Sequence, residues 1–305
     1  MEKRELGLLM QRLRKQKGIT QEKLAMYSGV DQSTIARIEN GKTMPRKDTF
    51  RMLFEKIGYD PSNLVEYFLS KGETKQQKII NELDVLIVQK MPNEAEVLLC
   101  ELESDGQFMQ DDLNKQYILF VKAAICMNRE KDMDRAFALL NESIKLTIPV
   151  FYEHEITDYF LSNRDIKIIN MMATIYSYQG QINRAIEIMY ALKENFDKYC
   201  VDRNQMGKHY PFIVYNLTQK LGIAGRHKEV IELCDVGIKI CKDTGYLHSL
   251  PQLSINKACG LCELGRSQEG EQLFRDIYYG CRLLERFDAA ENAKNYAKEK
   301  YGIVL

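Results

Sequence analysis

Thr20 to Lys42, TQEKLAMYSGVDQSTIARIENGK, reads as two short helices joined by a tight turn and closed by a glycine stop. Thr20 is an N-cap residue, although Lys23 stands where a full capping box would place Glu, and Leu24, Ala25 and Tyr27 follow at helical spacing. Ser28-Gly29-Val30 breaks that helix. Asp31 is placed to cap a second helix whose inward face is Ile35 and Ile38, which leaves Gln32, Ser33, Thr34 and Arg37 on or beside the opposite face. Asn40-Gly41 supplies a pair suited to left-handed backbone at the C-cap.

The outward residues point to double-stranded DNA. Amides, hydroxyls and a guanidinium at the start of a short helix provide the donors and acceptors that base edges in a major groove require. Gln21, opening the first helix, is placed to reach a phosphate together with that helix's N-terminal amides. The pattern T-Q-E-x-L-A-x-x-S-G-V-x-x-S-x-I-x-R-I-E-x-G resembles the lambda-repressor-like helix-turn-helix of the XRE family, matching at turn, core and groove-facing positions together. That resemblance implies groove or phosphate contacts for Gln21, Gln32, Ser33 and Arg37, with Glu39, Asn40 and Lys42 in the turn that approaches the DNA backbone.

Around this stretch the chain is helical and divided. Leu6, Leu9, Met10 and Leu13 mark a preceding helix that ends at Lys17-Gly18, Lys47 to Ile57 makes a fourth, and Asp60-Pro61-Ser62 opens a fifth through Phe68. Residues 1–70 form the expected five-helix head, 71–78 a polar linker, and 79–305 a second domain. The head carries 13 Lys and Arg against 9 Asp and Glu, and the remainder carries 30 against 34, so a modest positive excess sits on the DNA-facing part of a chain with zero net charge. No signal peptide or membrane-spanning run is legible, and the expected location is cytoplasmic. The 8 cysteines are scattered without a paired framework, as buried thiols of a reducing compartment would be. Cys259 and Cys262 form a lone CxxC inside a helical pattern with no second pair, which disfavours a metal or redox role.

Beyond the linker the sequence repeats. When Lys131, Gly180, Gly225 and Gly265 are superposed, Ala124, Ala173, Thr218 and Ala258 fall seven residues earlier. Met127, Tyr176, Leu221 and Leu261 fall four earlier, Ala136, Ala185, Val230 and Gly270 five later, and Leu140, Met189, Cys234 and Phe274 nine later. Large residues fill the space within a helical hairpin and small ones sit where two helix backbones approach, so the unit is a helix-turn-helix hairpin. A first copy runs over Ile79 to Glu103 with Lys90 at the anchor, and Asp288 to Leu305 is a terminal capping helix. The small-large-turn-small order resembles the tetratricopeptide repeat, so the expected class is all-α: the repressor-like head followed by a right-handed superhelix of such hairpins. The interval Thr147 to Asn163, with Pro149, Tyr152, His154 and Tyr159, departs from the pattern.

The inner wall of stacked hairpins suits an extended peptide, whose backbone offers a donor and an acceptor at each residue. Nine residues before the anchor stand Asn216 and Asn256, and asparagine both donates and accepts. Lys167, Asn170, Thr174, Phe212, Tyr215, Gln219 and Gln252 fall around them on the same wall. Each also has a structural reading: an amide bonded to a neighbouring carbonyl for the asparagines, hairpin core for Phe212 and Tyr215, and a solvated charge for Lys167.

Head and body together resemble the RRNPP superfamily, the peptide-pheromone-sensing regulators of Gram-positive bacteria. Membership implies a homodimer that binds a palindromic operator and a short signalling peptide. No phosphate-cradling glycine loop, nucleophile elbow or metal-spaced His-carboxylate motif is legible, so no catalytic residue, metal or cofactor is expected. Two other readings stand beside it: a prophage-type repressor whose repeats only dimerise or dock a protein, and a response-regulator phosphatase of the Rap type.

Overall fold

In a computed structural model that describes residues 3–59, 71–200 and 203–305, all five anchors of the repeat alignment adopt left-handed backbone. Their φ values are 57° at Lys90, 59° at Lys131, 79° at Gly180, 73° at Gly225 and 79° at Gly265. Glycine enters that region freely, whereas a lysine there costs roughly 1 kcal/mol, so the turn geometry is held by the hairpins rather than by the residue. The positions seven before and five after the anchor are buried in every copy, as are those nine after it. At Gly270 an added Cβ would lie 2.4 Å from Cys262 Sγ and 3.0 Å from the Ala258 carbonyl, the close backbone approach that the small-residue position implies.

The described residues form α-helices with short 3-10 and π turns and no strand, and they divide into two compact units, residues 1–179 and 180–305. The first begins with α1 (Lys3–Gln16), α2 (Gln21–Ser28), α3 (Gln32–Glu39) and α4 (Lys47–Lys56). Thr20 caps α2 by accepting from the Lys23 amide at 3.1 Å, and Gly29 (φ 66°) ends it with its N–H on the Ala25 carbonyl. Asp31 precedes α3 without a side-chain cap bond. Leu6, Met10, Ile19, Leu24, Ile35, Ile38, Phe50, Leu53, Phe54 and Ile57 form one buried core. At roughly 1.5–3 kcal/mol per large buried side chain, this cluster supplies the driving force for so small a bundle. The fifth head helix expected over Asp60 to Phe68 lies outside the described residues.

The first unit continues with α5 (Lys71–Val88), α6 (Pro92–Ser104), α7 (Asp112–Ile125), α8 (Met133–Lys145) and α9 (Asn163–Tyr178). Residues 71–78, read as a linker, are the first two turns of α5: Lys, Glu and Gln there are strong helix formers, and the single Gly72 does not interrupt them. The last turn of α7 widens into a π turn over Cys126–Glu130 before Lys131 reverses the chain. The second unit contains α10 (Ile182–Tyr199), α11 (Arg203–Ile223), α12 (His227–Thr244), α13 (Leu250–Glu263), α14 (Ser267–Leu283) and α15 (Phe287–Tyr301). The terminal helix buries Ala290, Ala293 and Ala297 against Phe274 and Ile277, where small side chains let it close the stack. No helix among the described residues is long and apolar enough to cross a membrane.

Candidate functional site

Helix α3 is held from behind and bare in front. Ile35 and Ile38 are buried to 0% and 1% exposure, while Gln32, Ser33 and Arg37 are exposed and Thr34 is half-buried at the edge. Asn40 and Lys42 are also exposed, in the turn closed by Gly41 at φ 66°. α1 braces this helix closely: a Cβ on Gly7 would meet the Ile38 carbonyl at 2.3 Å, so only glycine fits.

Gln21, whose position implies a phosphate contact, also joins an internal network of the head. Its Nε2 donates to Glu39 Oε2 at 2.8 Å, within a network in which Arg14 Nε and Nη2 donate to the same carboxylate at 2.6 and 2.8 Å. Arg14 also donates to the Ile19 carbonyl at 2.7 Å, so one guanidinium ties α1, the start of α2 and the end of α3 together. Glu39 is accordingly buried instead of facing the turn's outer surface. Burial alone would raise its pKa, but the hydrogen bonds from Arg14 and Gln21 and the Arg14 charge hold it below the ordinary value. Sequence reading missed this pair because both residues look like surface charges until the chain closes around them. Their one local signal is that each falls on the buried stripe of its helix.

The candidate wall residues divide between the units. In the first, Lys167 lies 3.4 Å from Asp84 in a half-exposed ion pair, and Thr174 donates to the Asn170 carbonyl at 2.9 Å. In the second, α11 carries Phe212, Tyr215, Asn216 and Gln219, with Gln252 and Asn256 on α13. Asn216 Nδ2 donates to the Phe212 carbonyl at 2.9 Å, and Gln219 Nε2 to the Tyr215 hydroxyl at 2.8 Å. Asn256 Nδ2 bridges to α11, reaching Thr218 Oγ1 at 2.9 Å and the Tyr215 carbonyl at 3.2 Å. The donor ends of these asparagines are therefore engaged within the repeats. The acceptor ends of two other wall amides are not: Asn170 Oδ1 and Gln252 Oε1 are buried without a donor. An unsatisfied buried carbonyl calls for an N–H from a ligand or a water.

The 8 cysteines are free thiols, Cys100 among them exposed, and burial pushes Cys234 up to about 12 and Cys259 to about 11, which leaves those two unreactive at neutral pH.

Residues 10–64 match the helix-turn-helix family. The head is an XRE-type helix-turn-helix domain. Over the full length, the chain is similar to Bacillus thuringiensis PlcR in complex with the peptide PapR7 and DNA. The two share 18% identity with a TM-score of 0.63, covering 96% of this chain and 99% of that one. The apo form of the same protein matches at 15% identity and a TM-score of 0.59, covering 96% and 98%. Streptococcus dysgalactiae Rgg2, an SHP pheromone receptor, aligns at 13% identity with a TM-score of 0.47 over 97% and 99%. No curated protein matches the chain by sequence. The head followed by helical repeats thus has the PlcR fold, and the sequence resemblance to the RRNPP regulators holds at that level.

Proposed function

We propose that this chain is a cytoplasmic, dimeric transcription regulator that binds double-stranded DNA through α3 and takes up a short signalling peptide on the inner wall of its repeats. The observation that carries it is the row Gln32, Ser33 and Arg37, exposed on a helix whose opposite face is locked into the head core. A PlcR structure that holds both a peptide and DNA supports extending the reading to a ligand-controlled regulator. We read residues 1–70 as the DNA head, 71–78 as the connection and 79–305 as the peptide and dimerisation domain. Gln32, Ser33, Thr34 and Arg37 would read base edges, with Gln21, Asn40 and Lys42 on phosphates.

One head contacts few base pairs, so useful affinity requires two heads on half-sites about one helical turn apart or a multiple of it. A peptide that favours one head arrangement by about 3 kcal/mol shifts the balance on the order of 100-fold. On the wall of the second unit, Gln252 Oε1 would accept a peptide N–H, and the Phe212 and Tyr215 rings would take an apolar side chain. The test is calorimetry of the full chain with synthetic peptides from small reading frames beside the gene, together with DNA binding measured with and without peptide. Peptide binding that alters DNA affinity is the expected result. DNA binding that no peptide affects would favour instead a repressor whose repeats only dimerise, a reading consistent with the internally engaged amides of Asn216 and Asn256.

A further inference from the structure

The interval 147–163, which breaks the repeat pattern, is where the first unit holds the head. Phe160 packs on the head core, its ring 4.4 Å from that of Tyr27 on α2. The Phe160 carbonyl accepts from Lys56 Nζ at 2.9 Å, and the same ammonium lies 2.8 Å from Asp165 Oδ2. Lys56 closes α4, and Asp165 stands in the first turn of α9, where it completes a capping box with Ser162. Their side chains are 1% and 0% exposed, so this ion pair is withdrawn from water.

Asp165 is saturated from several directions. Thr147 Oγ1 and Gln116 Nε2 donate to Oδ1 at 2.7 and 3.0 Å, and the Ser162 amide joins Lys56 on Oδ2 at 2.8 Å. The donors come from α4, α7, the interval and the cap of α9, so one carboxylate gathers the head and two repeat helices. Burial would push this carboxyl up; the Lys56 charge and the hydrogen bonds from Lys56, Thr147 and Ser162 hold it below its ordinary value.

A buried ion pair adds little net stability over apolar side chains of the same volume, because desolvation offsets the attraction. It does penalise every alternative docking. Two apolar surfaces can slide past one another, whereas sliding here would strand a buried charge, which disfavours other arrangements roughly 100- to 1,000-fold. A regulator that must present two heads at a set spacing has use for such a constraint. We propose that Lys56 and Asp165 are positioning residues for DNA binding: with Phe160 they clamp the head in one orientation on the first unit, so that the interval 147–163 sets the half-site spacing the protein reads. The positioning role rests on the DNA-binding reading of the head, while the clamp itself does not.

The test uses three full-length proteins: the wild type, Asp165→Asn and the apolar pair Lys56→Met with Asp165→Leu. Hydrogen exchange reads the clamp, and selection from a random-sequence duplex library reads the spacing. In Asp165→Asn, amides of α4 and of residues 158–165 should exchange on the order of 100-fold faster, with α13 unchanged. Its selected duplexes should keep the wild-type half-site but lose the single preferred spacing. The apolar pair should regain thermal stability and exchange protection without regaining that spacing, a separation that a purely structural role would not produce; it carries the comparison if Asp165→Asn does not fold. Unchanged protection in Asp165→Asn overturns the clamp. Faster exchange with an intact spacing, or an apolar pair that selects the wild-type spacing, overturns the positioning role. A wild-type chain that enriches no duplex overturns both the DNA reading and the positioning role, and exchange alone then decides the clamp.

Discussion

Helix α3 and the wall helices α11 and α13 both present rows of polar side chains, yet the two rows are spent differently. On α3 the polar groups Gln32, Ser33 and Arg37 stand exposed, and the buried charges that fix the helix, Arg14 and Glu39, lie behind it. On the wall, Asn216 and Asn256 direct their Nδ2 groups at carbonyl and hydroxyl oxygens of the repeats themselves. A polar residue on a helix face thus marks a binding surface only where its hydrogen bonds are not already made within the fold.

Substitutions can break this comparison, beginning with the scaffold. Glu39→Ala strands Arg14 in the head core and should cost about 3–5 kcal/mol of head stability, read as a lower melting temperature and loss of α1 protection in hydrogen exchange. The wild-type pair has a sign in pH as well. With Glu39 below its ordinary value, the stability it adds is complete above the unfolded carboxylate pKa, about 4.3, and fades as pH falls through the lower folded value.

Lys220 gives the opposite sign in the second unit. It is 3% exposed on α11, and burial pushes its pKa down to about 8. The unfolded chain holds this proton up to about pH 10.4, so the penalty is complete below about 8 and disappears as pH rises between the two values. The buried thiols Cys234 and Cys259, raised by burial, act in the opposite sense over the same range, so the Lys220 slope is read as the difference between the wild type and Lys220→Met. Lys220→Met should remove that slope and add on the order of 2–3 kcal/mol at neutral pH, both measurable by calorimetry.

Arg37→Ala sharpens the contrast from the head's exposed side. It should leave the melting temperature within error while weakening DNA binding by about 1–3 kcal/mol, measured by fluorescence anisotropy on a selected duplex. An equal loss of stability would place Arg37 in the scaffold instead. Asn256→Ala tests the wall: it frees Thr218 Oγ1 and the Tyr215 carbonyl and should cost about 1 kcal/mol of stability in the absence of any peptide. The smallest effect belongs to the turn at Lys131, where Lys131→Gly relieves left-handed strain and should stabilise by about 1 kcal/mol or less, since glycine also loosens the unfolded chain.

The legible parts of the molecule are those written in short range. Thr20, Gly29 and Gly41 act within one or two turns of their own helix, and the spacing of Ile35 and Ile38 alone says which side of α3 is free. The repeat frame was equally readable, because a small residue before and after a reversing turn is demanded by hairpin geometry wherever it occurs. Lys90 and Lys131 were placed by their neighbours even though neither is the residue that left-handed backbone prefers. Wall chemistry was less legible: the frame located Asn216 and Asn256, but whether their donors face a ligand or a neighbouring helix depends on the distance between helices.

From the sequence alone came the all-helical class, the helix-turn-helix, the repeat anchors and the faces that each helix buries, all consequences of periodicity over a few residues. Only the tertiary structure decided that Gln21 serves Glu39, that an interval without repeat character grips the head, and that Lys56 meets Asp165 across 109 positions of chain. A buried ion pair leaves no periodic trace, since either partner read by itself is an ordinary surface charge, and its meaning appears only when folding removes the water around both.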